Sequence, residues 1–124
     1  GPGKRPRSSM APTLVFDADG RLAAVLGSPG GSRIILYVAK ALIALIDWHL
    51  DPQAAAALSN FGSRGKELEM EAPGAGIWLA LKLRSRGHQV KFDAMTSGLH
   101  IVTVGPEGLR GGADPRRDGV AVGD

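Results

Sequence analysis

The 124-residue chain contains no cysteine. That absence excludes disulfide bonds, thiolate metal ligands and a thiol nucleophile. Aromatic residues are scarce as well, with three Phe, two Trp and one Tyr, too few to interleave with cations as a base-stacking surface does. The net charge is only +3, and the basic residues cluster locally at 4–7, 82–86 and 116–117. Nucleic-acid binding is therefore not expected. Long apolar runs are missing too. The longest, residues 34–46, is interrupted by Lys40 and falls short of the roughly 20 residues that span a bilayer, so it is read as a buried helix and no membrane span is expected. Residues 1–9 are basic and polar, without the apolar stretch of a secretory leader behind them. His49, His88 and His100 are not spaced as metal ligands, and neither metal nor cofactor is expected.

What remains is an ordinary globular balance, 44% hydrophobic and 22% charged, sufficient for one core and not two. Gly1 to Arg7 should be extended, because Pro2 and Pro6 disfavour helix at and before their positions. Thr13-Leu14-Val15-Phe16 reads as a strand that turns at Asp17-Ala18-Asp19-Gly20 and pairs back through Arg21 to Leu26. Ser32 is placed as the N-cap of a helix running to about His49. That helix is apolar on nearly every face, which implies cover on both sides.

Asp51-Pro52 reads as N-cap and first residue of a second helix ending at Leu58. Residues 60–66 are expected as loop. Residues 67–71 alternate charged and apolar side chains like an edge strand, broken at Pro73-Gly74. A helix is expected over 77–86, stopped by Gly87. Strands follow over 88–92 and 99–104, with a turn at 105–108. The order ββα, α, βαβ, ββ is α+β.

Two short segments carry the chemistry. Ser8-Ser9-Met10 offers adjacent hydroxyls that can donate to one carboxylate, each charge-assisted bond contributing about 1.5–3 kcal/mol. One hairpin later, Gly27-Ser28-Pro29-Gly30-Gly31-Ser32-Arg33 sets backbone amides at or just before a helix N-terminus, where anions and developing negative charge are stabilised. A phosphate loop is disfavoured because neither a Gly-Lys-Ser/Thr ending nor a G-x-G-x-x-G pattern is present. A nucleophile elbow fails likewise, the pattern being G-S-P-G-G-S.

Three blocks in order, Lys4-Arg5-Pro6-Arg7-Ser8-Ser9-Met10-Ala11-Pro12-Thr13, Gly27 through Ile35, and Asp114-Pro115-Arg116-Arg117 leading to Val120-Ala121-Val122-Gly123, resemble the γ-glutamyltransferase (glutathione hydrolase) family. The likeness runs over the whole chain and corresponds to the C-terminal part of that family's small subunit. It implies part of an Ntn-hydrolase αββα sandwich, a single partial domain over 1–124 with residues 1–11 as an extended substrate-contacting segment. It further implies that Ser8 and Ser9 bind the α-carboxylate of a γ-glutamyl substrate such as glutathione, and that Gly30 and Gly31 form the oxyanion hole. The family's nucleophile, a threonine exposed by self-cleavage, lies upstream; Thr13, Thr96 and Thr103 are not in its context.

The implied partner is therefore the upstream, large-subunit region of the same precursor, and the fragment alone is expected to be inactive, while still folding or self-associating through an exposed inner sheet. A periplasmic or extracellular location is implied by the resemblance only. The DPRR segment, 114–117, is expected as a structural ion pair and turn. The chain departs from the family where many members carry Pro-Arg-Phe-His-His: here Leu58-Ser59-Asn60-Phe61-Gly62-Ser63-Arg64 stands instead. Asp124 replaces a common aromatic. A related Ntn amidase, such as a cephalosporin acylase, and a non-catalytic anion-binding module remain as alternatives.

Overall fold

A computed structural model describes residues 1–5, 9–72 and 76–123. Ser8, the Pro73-Gly74 break and Asp124 lie outside the described residues. The architecture is α+β, built on two sheets. In the first, β1 (Thr13–Phe16), β2 (Leu22–Gly27), β6 (His100–Gly105) and β7 (Gly108–Ala113) run antiparallel in the order β1-β2-β6-β7. In the second, β3 (Phe61–Ser63), β4 (Leu68–Glu71) and β5 (Val90–Asp93) lie in that order, β4 and β5 parallel. Helix α3 (Ile77–Ser85) makes the crossover that a parallel pair requires.

The period-2 pattern decides which face of the first sheet is covered. Leu26 and Ile101 point into a core shared with α1 (Ile34–Ile46) and α2 (Pro52–Ala57), and Ala24 is buried on the same strand as Leu26. Alanines at 41, 44, 55 and 56 are fully enclosed there, allowing the helices to approach closely. Gly112 is needed for the same reason, since a Cβ on it would fall 2.3 Å from the Pro52 carbonyl oxygen. Gln53 then closes the free edge of β7, its amide donating to Ala113 O at 3.0 Å and accepting from Ala113 N at 3.1 Å. Asp51 caps α2 by accepting from Ala54 N at 2.9 Å, with Pro52 in the first turn, as the sequence indicates.

The opposite face of this sheet is apolar and open. Leu14 pairs with Val25 and Val25 with Val102, forming a row across three strands, and Phe16, Val104 and Leu109 extend it. All six of these residues are exposed.

Several expectations are corrected. Helix α1 begins at Ile34, not after a Ser32 cap: Gly31–Arg33 forms a 3-10 turn with no side-chain cap, and the Ser32 hydroxyl is engaged by Arg64 instead. The helix ends at Ile46, because His49 takes a φ of 53° and Leu50 N returns to Ala44 O. Cover on both sides of α1 is not met among the described residues, since Ile35, Ile43 and Ile46 remain exposed.

Residues 61–63 form a strand rather than loop, which places β4 in the centre of its sheet and not at the edge. The alternation in β4 is real, but its charged side is not solvated. Met70 packs with Val90 and Ala80 under α3, while Glu69 is buried on the other face.

Candidate functional site

The glycine turn is held from every direction by contacts that the local sequence does not announce. Ahead of it, Ser28 Oγ donates to Pro29 O at 2.7 Å and accepts from Gly98 N at 3.0 Å, fixing the exit from β2 against the segment before β6. Gly30 has φ 144° and lies against the ring of Tyr37; a Cβ there would fall 2.5 Å from that ring. Gly31 has φ 57° with open space around it. Arg33 N donates to Gly30 O at 3.1 Å, closing the turn that leads into α1. Among the described residues neither the Gly30 nor the Gly31 N–H donates a hydrogen bond. The glycines thus sit just before a 13-residue helix, as the sequence places them, with two amides available to an acceptor.

The N-terminal segment returns to this turn. Ser9 Oγ donates to Gly31 O across 22 residues of sequence. The structure therefore brings Ser9 and Gly31 together, with Gly30 beside them.

Behind the turn lies a set of ion pairs. Arg33 reaches Glu69 through Nε at 2.8 Å and Asp93 through Nη2 at 2.8 Å. Arg64 holds the other Glu69 oxygen at 2.5 Å and Ser32 Oγ at 2.7 Å. These arginine hydrogen bonds lower the Glu69 carboxyl to about 2. The Glu69 bond in turn raises the Arg33 guanidinium above its ordinary value.

A second polar ring locks the two sheets together. Arg116 spans Glu71, with Nη2 to Oε2 at 2.6 Å, and Asp114, with Nη1 to Oδ1 at 2.9 Å. Asp114 accepts further from Ser97 Oγ and from Leu99 N at 3.1 Å. Asn60 donates to Ser97 Oγ at 2.8 Å and Met95 O at 2.9 Å, and its N–H donates to Glu71 at 2.7 Å. Lys40 completes the ring by donating to Asn60 Oδ1 at 3.0 Å and Leu58 O at 2.6 Å. Among the described residues no buried side-chain polar atom lacks a partner. Burial pushes Glu71 and Asp114 upward, but hydrogen bonds from Arg116, Ser97 and backbone amides leave both below the ordinary carboxylate range. The DPRR segment is thus the ion-pair and turn element the sequence suggests, with Arg117 N returning to Asp114 O at 3.3 Å.

Lys40 is 3% exposed. Burial, and then the charge of Arg116, lower its ammonium from 10.5 to about 8. The folded value lies below the unfolded one, so between about 8 and 10.5 the unfolded chain binds more protons, and stability rises with pH across that window. Lys40→Met removes this slope. The stability of wild type relative to Lys40→Met, followed by urea unfolding from pH 7 to 10.5, should increase with pH, whereas a flat difference contradicts a charged, buried Lys40.

Sequence reasoning singled out Gly30, Gly31 and the Ser8-Ser9 pair and did not anticipate Arg33, Arg64, Glu69 and Asp93 as one unit. Arg33 lies 36 and 60 residues from Glu69 and Asp93, separations that carry no motif; the local signals were Arg33 close behind the glycines and Arg64 five residues before Glu69. His49, His88 and His100 are all exposed. Among the described residues no group of three His, Asp or Glu could hold a metal ion.

Comparison with known proteins agrees with the sequence blocks. The family model described as Gamma-glutamyltranspeptidase matches residues 1–124. The chain is 39% identical over 119 residues to the glutathione hydrolase proenzyme of Escherichia coli K12, covering 94% of this chain and 20% of that protein. It is 36% identical over 125 residues to the acylase ACY 1 proenzyme of Pseudomonas sp. strain SE83, covering 98% of this chain and 22% of that protein. Among solved structures, gamma-glutamyltranspeptidase from Pseudomonas nitroreducens complexed with L-DON superposes with a TM-score of 0.85 at 30% identity, covering 100% of this chain and 66% of that one. The chain thus spans about a fifth of the length of the curated relatives it matches. The α+β arrangement is that of the Ntn-hydrolase γ-glutamyltranspeptidases.

Proposed function

The chain belongs to the gamma-glutamyltranspeptidase family, and from that premise we propose that the protein containing it hydrolyses or transfers γ-glutamyl groups of glutathione and related amides. In this reading an N-terminal threonine outside the chain attacks the γ-carbonyl carbon, with its own α-amine as base. The carbonyl oxygen becomes an oxyanion met by the Gly30 and Gly31 N–H groups. The C–N bond then breaks, the amine leaves with a proton, and the acyl-enzyme is resolved by water or by an acceptor amine.

The observation that supports this most is the joining of Ser9 to Gly31. The segment assigned to carboxylate recognition and the turn assigned to the oxyanion touch directly, as an acyl group with a nearby carboxylate demands; the single Ser9 hydroxyl proton is given to Gly31 O here, so donating to a substrate carboxylate requires that hydroxyl to rotate away from the carbonyl. Ser8 is proposed as the second carboxylate donor on the sequence resemblance alone.

The upstream region is the proposed partner. The open row Leu14, Val25 and Val102, with Phe16, Val104 and Leu109, offers a sheet face for it to cover. Left alone, the chain would lack its nucleophile and is proposed to be inactive, with this face prone to self-association.

A related amidase specificity is the second reading, favoured by the 36% identity to the Pseudomonas acylase. The two differ in what the serines contact. In the full-length protein, the preference for a γ-glutamyl anilide over a 4-aminobutyryl anilide, which lacks the α-carboxylate, should fall about 10-fold or more on Ser9→Ala, chiefly through KM, as the loss of one charge-assisted hydrogen bond requires. An unchanged preference favours the acylase reading.

A further inference from the structure

The Gly30–Gly31 turn is not held by its own hairpin alone. The two residues that follow it, Ser32 and Arg33, are each tied to the second sheet. Arg64 binds Ser32 Oγ at 2.7 Å and also Glu69 Oε1 at 2.5 Å. Arg33 binds the other oxygen, Glu69 Oε2, at 2.8 Å, and its Nη2 binds Asp93 at 2.8 Å. Glu69 therefore serves both arginines at once and sits on the central strand of its sheet. The Glu69 side chain is 11% exposed and that of Arg33 21%, so solvent screens this pair less than a surface bridge. The central strand of the second sheet thus bears on the 3-10 turn that begins at Gly31. The β3 backbone adds to the constraint, because Gly62 is close enough to Leu36, in the first turn of α1, that a Cβ would fall 2.6 Å from its side chain.

We propose that Glu69 is a positioning residue for the oxyanion-binding turn, acting through Arg33 and Arg64 to hold the Gly30 and Gly31 amides in reactive geometry. This rests on the reading of those glycines as oxyanion donors. It is independent of which acyl group the enzyme takes, because the tetrahedral oxygen is common to all amides. It predicts that loosening Glu69 harms the transition state more than substrate binding, since preorganised donors act where charge develops and small displacements there cost up to about 100-fold.

The test uses the full-length processed enzyme and whichever p-nitroanilide the wild type cleaves, γ-glutamyl or another acyl. Glu69→Ala is expected to lower kcat about 10- to 100-fold while KM stays within about threefold. Inhibition by a boronic acid carrying the same acyl chain, which becomes tetrahedral on the nucleophile, should weaken in parallel. Glu69→Gln, whose amide oxygen still accepts from an arginine, should recover part of both. If Glu69→Ala does not fold, Arg64→Ala carries the test, because that side chain is 42% exposed and its loss leaves the Arg33–Glu69 pair intact. Its kcat should fall with KM retained. Variants that fold but keep wild-type kcat and boronate affinity overturn the proposal, as does a change confined to KM or to melting temperature. A wild type that cleaves no anilide defeats the underlying reading of the glycines instead, and this inference with it.

Discussion

Gly30→Ala in the full-length protein is expected to reduce kcat by about 100- to 1000-fold, the loss associated with disabling one oxyanion donor. Two physical effects coincide at this residue. Its φ of 144° is one that an L side chain rarely adopts, and the added methyl would meet the Tyr37 ring at 2.5 Å. Tyr37 cannot retreat easily, because it is 2% exposed and belongs to the main core. The turn must therefore move, and the Gly30 and Gly31 amides move with it.

Gly31→Ala should be milder, since φ is 57° and nothing lies within 4 Å of the new methyl. Gly20→Ala provides the comparison for strain alone. It has φ 79° in the β1–β2 turn, also with free space, and should cost about 1–3 kcal/mol of stability without lowering kcat. Steady-state kinetics and thermal melts of the three variants check the ranking. Equal kcat losses for Gly20→Ala and Gly30→Ala would show that strain, and not amide placement, governs the effect.

Arg116→Met is expected to cost about 3–5 kcal/mol, the range for breaking a buried ion pair by removing one partner. The side chain is 15% exposed and satisfies Glu71, Asp114 and the Leu58 carbonyl together. Its removal leaves the Asp114 carboxylate, whose side chain is fully enclosed, without its guanidinium.

The pH dependence has a definite sign. Glu71 and Asp114 are held below their ordinary carboxylate values, so the stability they contribute is present above those values and is lost as pH falls. The penalty of Arg116→Met should therefore be largest near neutral pH and shrink toward acid, as read from urea midpoints. Arg117→Met, which forfeits a single 3.0 Å bond to Ser97 O, should cost only about 1 kcal/mol. Comparable losses for the two arginines would contradict the ring as the principal tie between the sheets.

Local patterns read well where local physics governs. Asp51-Pro52 announced α2 because cap and first-turn residues act over three positions. The β1–β2 hairpin followed from the strand-like run Thr13–Phe16 and the Asp17–Gly20 turn, where Asp17 Oδ1 accepts from the amides of Asp19 and Arg21. The glycine turn before α1 was legible for the same reason. Beyond that range the reading failed in characteristic ways. Glu69 and Glu71 looked like the solvated side of an edge strand, since nothing in that strand reveals that Arg33 and Arg116, 36 and 45 residues away, neutralise them together with the nearer Arg64.

Asn60 drew notice only as a departure from the family's histidine run. Its place at the hub of a buried network with Lys40 and Ser97 depends on contacts 20 and 37 residues away. Lys40 itself, an apparent interruption of an apolar helix, is enclosed because those partners meet its ammonium. The pairing of Ser9 with Gly31 was foreshadowed by the spacing of the two segments one hairpin apart and by the family likeness, which implied roles for both in one substrate site.

The central claim is that this chain supplies carboxylate recognition and oxyanion stabilisation to a γ-glutamyl-transferring enzyme whose nucleophile lies upstream. The most direct measurement is release of chromophore from a γ-glutamyl anilide by the chain alone and by the chain produced together with its upstream region. Turnover only in the combination, abolished when the upstream threonine is replaced, is the predicted result. A combination that folds and processes yet leaves the γ-glutamyl anilide intact would contradict it.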